Sequence, residues 1–357
     1  ATFGDNWGYT RNGVSISRYE DPYITWEISR KTNLGIELGL FDEIEIQADL
    51  YKEYRSNILQ SRADIPSTMG LQATPSANIG AASGKGVDIS FDWNKTFNKN
   101  NWMLLRGNFT YATSKYERYE EPEYAGEPWR RHVGNKISQG YGYIAERLFV
   151  DDADVANSPR QDFGEYGAGD IKYKDLNGDF VIDSRDVAPI GFPLTPEIIY
   201  GFGISFGIRN FDFSTFFQGS ARSTFFIQPA NIAPFVGGNR GNRALLTVIE
   251  ESHWSEDNRD IYAFWPRLSE TAISNNNQTS TWWMRNGAFL RIKTMEIGYS
   301  LPRKMIRKAG LNVCRFYISG SNLFTFSKFD LWDVEQAGNA FTYPIQRVVN
   351  LGANVEF

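Results

Sequence analysis

The chain has 357 residues, 15% of them aromatic, with 32 glycines and a formal net charge of −5. That mixture favours strands and turns over helices, and acidic and basic residues are mixed along the chain with no basic stripe for nucleic acid. No run of about 18 apolar residues is present to cross a bilayer as a helix. The nearest, residues 187–208, contains Glu197 and is broken by Pro189, Pro193 and Pro196.

A β-barrel is not excluded, because its strands alternate lipid-facing with lumen-facing residues and look half apolar on average. Residues 1–10 show no basic segment followed by an apolar run, so no leader is visible. The single cysteine, Cys314, allows no internal disulfide.

In chain order, the first period-two run sets Leu34, Ile36, Leu38 and Leu40 against Asn33, Gly35, Glu37 and Gly39. Ile44, Ile46, Ala48 and Leu50 follow, with only Phe41 and Asp42 between the runs, which predicts a tight hairpin. Val87, Ile89, Phe91 and Trp93 form the apolar set of the next strand, and Met103, Leu105, Phe109 and Tyr111 that of its partner after a turn at residues 98–101. Tyr200, Phe202, Ile204, Phe206 and Ile208 alternate with Gly201, Gly203, Ser205 and Gly207, and Arg209 and Asn210 turn the chain into a run over residues 211–217.

Further strands are predicted over residues 137–149, 289–301, 313–324 and 348–357, roughly ten to twelve in all. Each apolar set is expected to face lipid. Connections alternate between tight turns and long loops over residues 57–84, 150–196 and 222–287, as in an outer-membrane barrel with short periplasmic turns and long outer loops. A soluble sandwich also alternates, but its strands run nearer five or six residues, and loops this long are uncommon in compact domains. The last residues put Val349, Leu351, Ala353, Val355 and Phe357 on one face, a closing strand that ends on an aromatic side chain.

Asp175, Asn177, Asp179, Val181, Asp183 and Asp186 have the spacing of a calcium loop. The first three would supply side-chain oxygens, Val181 a carbonyl, Asp183 a direct or water-mediated contact, and Asp186 the terminal carboxylate. One Ca²⁺ is expected there. Phe180 stands where such loops use glycine, and Gly178 two positions earlier; the competing reading is an Asp/Asn turn satisfied by its own backbone.

Trp129, Trp254, Trp265, Trp282, Trp283 and Trp332 fall at loops and strand ends. They suit either an interfacial girdle or a surface that stacks on sugar rings. Trp254, Trp265, Trp282 and Trp283 are the candidates for substrate binding. His132 and His253 lie in different loops, and no nucleophile elbow, phosphate loop or paired-cysteine motif is present, so no catalytic residue is assigned and the chain is read as a non-enzyme.

Five segments together resemble the SusC/RagA family of TonB-dependent outer-membrane transporters of the Bacteroidota. They are WEISRKTNLGIELGLFDEIEIQADLYKEYRSNIL from Trp26, NIGAASGKGVDISF from Asn78, GDIKYKDLNGDFVID from Gly169, LRIKTMEIGYSLP from Leu290 and YPIQRVVNLGANVEF at the end. Asp175, Asn177, Asp179 and Asp183 match the family's DxNGDxxxD loop.

The resemblance implies an all-β fold, the C-terminal part of an antiparallel barrel of about 22 strands spanning residues 1–357, with the plug and N-terminal segments outside the chain. It also implies active import of an oligosaccharide or oligopeptide across the outer membrane. The implied partners are a SusD-like surface lipoprotein, the TonB complex and outer-membrane lipid, with no nucleic acid. A self-contained passive porin and a secreted carbohydrate-binding β protein are the alternatives.

Overall fold

The computed structural model describes residues 2–3, 9–10, 15–236 and 244–357. Most of residues 1–10, read above for a leader, and residues 237–243 of the third long connection lie outside the described residues. Among the described residues, nine long strands run as an antiparallel meander: β1 (Ile28–Leu40), β2 (Ile44–Ser61), β3 (Ser76–Asn98), β4 (Asn101–Arg118), β5 (Ile198–Ile208), β6 (Phe211–Ala221), β7 (Phe289–Ser300), β8 (Val313–Ser321) and β9 (Val348–Glu356). Each pairs with the next, and Thr325–Ser327 adds a short tenth strand beside β7. Among the described residues the free edges of β1 and β9 are unpaired.

The registers decide which side chains share a face. Leu50 stands opposite Leu34 and Val87, Val87 opposite Tyr111, and Ile204 opposite Leu105 and Thr215. Continued through Ile297, Ile318 and Leu351, this pairing puts the apolar sets of all nine long strands on one surface of the sheet. Asp49, Asp88 and Thr110 line the other surface. There Arg315 donates from Nε to Asp212 at 3.0 Å and from Nη2 to Glu296 at 2.6 Å.

Leu34, Leu38, Ile297 and Leu351 remain exposed on the apolar surface. A continuous apolar patch of this extent is untenable in water and is the ordinary outer wall of a membrane barrel.

Tight turns mark one end of the sheet. Phe41 and Asp42 both take positive φ, 57° and 53°, the twist that suits a two-residue hairpin. The β3–β4 and β5–β6 turns lie at the same end, as does the longer β7–β8 connection with its short helix Arg303–Ile306.

The opposite end differs from the sequence reading in two ways. Residues 57–84 are not a loop, because β2 continues to Ser61 and β3 begins at Ser76. With 18, 23 and 18 residues, β2, β3 and β4 far exceed the 9–11 or so that a membrane span requires. Beyond the lipid the outer face no longer needs apolar residues, so the alternation fades while the hydrogen-bonded ladder continues.

Residues 137–149 form no membrane strand. They fold as Gln139–Gly142 and Ala145–Leu148, paired with Ala188–Pro193 and Ile171–Tyr173 in a separate layer. Their alternation buries side chains in that layer rather than in lipid. The layer is built from the long connections around a core that includes Leu148, Ile171, Tyr173, Ile182, Ile249 and Trp283.

One ion-pair cluster anchors this layer. Asp154 accepts from Arg147 Nη1 at 2.5 Å and Nη2 at 2.9 Å, from Val150 N at 3.0 Å and from Lys172 Nζ at 3.2 Å. The Arg147 hydrogen bonds, opposed by burial and helped by the Val150 amide and Lys172, hold its carboxyl well below the usual range. A depressed folded-state pKa gives stability that is present above the unfolded value, about 3.9 for Asp, and is lost as pH falls through the folded value.

Asp154→Asn is therefore expected to cost the layer about 2 kcal/mol at neutral pH and to flatten its acid transition below about pH 4. Tryptophan fluorescence across an acid titration measures both. An unchanged transition would remove Asp154 from the account.

Candidate functional site

The lumenal face meets the loop layer at the upper ends of β5, β6 and β7. A cavity of about 310 Å³ opens there, lined by Ile199 and Gln218 of the sheet and by Ser223, Thr224 and Glu335 of the connections. Arg291, one row below the Phe289 that also lines it, is 1% exposed. Its Nη2 lies 2.7 Å from both oxygens of Asp333, its Nε donates to Thr325 Oγ1 at 2.9 Å, and its Nη1 approaches Glu335 Oε2 to 2.7 Å.

Asp333 also caps the short helical turn Val334–Gln336, accepting from Glu335 N at 3.0 Å. One guanidinium thus ties the connection after β8 to the floor of the cavity. Glu335, 33% exposed in its side chain, faces the opening as the outermost acid. Gln218, the hydroxyls of Ser223 and Thr224 and the Glu335 carboxylate can hydrogen-bond an oligomer that packs on Ile199 and Phe289.

The tryptophans take a different role from the one expected. Trp254, Trp265 and Trp283 are 5%, 7% and 1% exposed, and Trp282 is partly buried against the same core. Trp265 and Trp283 pack with ring centroids 5.2 Å apart. Trp254 lies over Gly169, whose φ of 79° and missing Cβ both suit the contact. The indole faces of Trp254, Trp265 and Trp283 are consumed in packing the loop layer, so these three present no flat surface to a sugar ring, nor a girdle to the membrane, while Trp282 is half-buried and donates from Nε1 to Phe264 O at 3.3 Å. Trp129 and Trp332 likewise donate to Arg185 O at 2.9 Å and Ala337 O at 2.8 Å.

The acidic loop curls on itself through two left-handed residues. Phe180 takes the left-handed conformation, φ 62°, with its ring exposed, and Gly178 does so at φ 76°. Asp175 accepts from Gly178 N at 2.7 Å and Phe180 N at 2.8 Å, and Asp179 from Val181 N at 2.9 Å. Val181 itself sits in the short strand Val181–Ile182. Asn177 donates from Nδ2 to Asp179 at 3.1 Å.

Arg185 supplies the positive charge. It pairs with Asp179 and lies 3.1 Å from Asp183, whose carboxyl its hydrogen bond pulls below the usual range despite burial. Asp186 is fully buried, bonded to Leu176 N at 2.7 Å and Asp183 N at 2.9 Å, and burial pushes its carboxyl up. Among the described residues no three His, Cys, Asp or Glu side chains are gathered to hold a metal. In this arrangement the donor set does not converge on one ion.

A family described as TonB dependent receptor-like, beta-barrel matches residues 1–211. The chain belongs to this family. TonB-dependent receptors P3 and P26 of Formosa agariphila are 26% and 25% identical to it, over 97% and 98% of its length but 36% of theirs. The chain therefore spans about a third of these curated relatives.

Among solved structures, the RagAB peptide importer in the open-open state superposes with a TM-score of 0.69 at 20% identity, covering 98% of this chain and 37% of that one. The RagAB peptide transporter gives 0.68 at 21%, covering 98% and 38%. The SusC/RagA resemblance of the five segments thus belongs to a TonB-dependent receptor with the same fold. Such receptors are outer-membrane proteins and not enzymes.

Proposed function

We propose that the receptor containing this chain actively imports an oligosaccharide or oligopeptide, and that the chain supplies barrel wall and part of the outer mouth. The observation that carries this reading is the cavity on the lumenal face, where Ile199, Phe225 and Phe289 stand among Gln218, Ser223, Thr224 and Glu335, lying directly beneath a folded loop layer. A SusD-like lipoprotein closes over that layer, and TonB, driven by the inner-membrane proton gradient, opens the path from the periplasm. Membership of the receptor family and the fold shared with the RagAB peptide importers support it. Burial of the tryptophans removes one support for a glycan, so both cargo classes stand.

The test is uptake of defined glycan and peptide pools by cells with and without the receptor, before and after collapse of the proton gradient. Receptor-dependent uptake that stops with the gradient is expected. Uptake that persists without it supports a passive porin instead.

For the acidic loop we propose Ca²⁺ as an alternative to Arg185. The left-handed turn at Phe180 and the oxygens at Asp175, Asn177 and Asp179 support it, while Arg185 competes for the same carboxylates. Titration of the receptor with calcium is expected to give binding in the range of about 10⁻⁴ to 10⁻³ M, several-fold tighter in Arg185→Ala. No heat of binding in either protein reduces the loop to a self-satisfied turn.

A further inference from the structure

The outer wall changes character within one row above the apolar belt. Leu50, Val87 and Tyr111 stand side by side on β2, β3 and β4, and the next row toward the long connections is Lys52, Lys85 and Thr113. Lys115 follows one row higher opposite Ser83, and an isolated bridge brings Lys136 beside it. The four lysines border a hollow of about 350 Å³. Adjoining it, a groove of about 420 Å³ has Leu34, Leu50, Val87 and Tyr111 in its wall and shares Lys52 and Lys85 with the hollow.

The charges in this cluster are not all met. Lys115 is 3.1 Å from Glu117, and Lys136 is 2.6 Å from Glu197, which also binds Arg222 at 2.8 Å. Among the described residues, Lys52 and Lys85 have no carboxylate within ion-pair distance, Glu117 of the same hollow acting on Lys52 only from farther off, although both lysines are exposed and face each other directly across the β2–β3 ladder. Like charges in that position repel and destabilise the pairing. An anion seated between them would reverse the sign.

The height of the row indicates where the anion comes from. From Ile44, beside the tight turn, to Lys52 is roughly 26 Å of strand, or about 20 Å of membrane thickness at the usual tilt. The apolar band of such a barrel is about 25 Å tall, so Lys52 and Lys85 lie at its outer edge, where a lysine stem reaches the headgroups of the outer leaflet, with apolar groove below and long connections above.

We infer that this wall binds a phosphorylated lipid of the outer leaflet, its phosphate between Lys52 and Lys85 and an acyl chain along Leu34, Leu50, Val87 and Tyr111. The inference rests on the apolar surface meeting lipid and is independent of the cargo. The lipid neutralises a repulsive cross-strand pair and holds β1 to β4 upright at the point where they leave the membrane.

The test uses the delipidated intact receptor in a zwitterionic detergent, titrated with diphosphorylated lipid A, with its dephosphorylated counterpart and with inorganic phosphate. Wild type is expected to bind lipid A far more tightly than either control. Lys52→Ala/Lys85→Ala is expected to weaken binding roughly 25-fold, from about a factor of five per lysine near a charged surface. Lys52→Arg/Lys85→Arg, which preserves both charges, is expected to stay within about threefold of wild type.

Unchanged heat-modifiable mobility on a gel checks that each variant folds. Equal binding of inorganic phosphate and lipid A would overturn the lipid assignment. Undiminished lipid A binding in the alanine variant, with alternating lipid contact along β5 intact, would overturn the site and leave the membrane placement standing.

Discussion

Arg291→Ala is expected to destabilise the outer mouth by about 3 kcal/mol, the lower end of the range for breaking a buried ion pair because Glu335 stays partly solvated. The side chain is 1% exposed and binds Asp333, Thr325 and Glu335, three groups of a connection whose backbone ladder to β7 reaches no further than Ser327, so that Asp333 and Glu335 lie beyond it. Its removal strands Asp333 in a mostly buried position and frees the cap of Val334–Gln336. Arg291→Lys is expected to fall between, since an ammonium retains the charge but cannot reach Asp333, Thr325 and Glu335 at once as the three guanidinium nitrogens do.

Denaturant unfolding gives the energy, and amide exchange over residues 325–336 locates it. A cost below about 0.5 kcal/mol, the level of an ordinary surface change, would show that the pair does not anchor the mouth.

Ile204→Lys is expected to cost about 2–4 kcal/mol and to lower the yield of assembled receptor, because a lysine in the middle of a membrane strand must leave hydrocarbon or carry its charge into it. Ile204 lies at the centre of the β5 apolar set, flanked by Leu105 and Thr215. Ser205→Lys, one residue on, points into the lumen among Leu104 and Ser214 backbone partners and is expected to be mild. A one-residue slip in register would invert the two outcomes. Heat-modifiable gel mobility of membrane-inserted receptor compares them, and equal tolerance would overturn the strand orientation.

The membrane wall was legible because lipid imposes a strict demand. Every second residue from Leu34 to Leu40, from Ile44 to Leu50 and from Tyr200 to Ile208 must be apolar, and the registers confirm those sets on a single surface. Where that demand ends, so does the signal. The upper part of β2 and β3 read as loop, since Asn57, at φ 57°, bulges the ladder and polar residues occupy both faces.

Residues 137–149 alternate for a different reason, the local core around Leu148 and Tyr173. Trp254, Trp265 and Trp283 are buried on the same ground: a long connection that folds on itself needs large buried side chains, and sequence position alone does not separate these from exposed ones. Arg291 carried no signal at all, because its partners Asp333 and Glu335 follow more than forty residues later and meet it only through the fold.

The central claim is that one face of this sheet is solvated by lipid and the other by the lumen. Spin labels placed one at a time from residue 198 to residue 208, in intact receptor carrying Cys314→Ser and reconstituted in bilayers, test it most directly. Relaxation by oxygen is expected to peak at residues 200, 202, 204, 206 and 208, and relaxation by a water-soluble nickel chelate at the positions between. Oxygen access without a period of two, or with its maxima at residues 201, 203 and 205, would contradict the account.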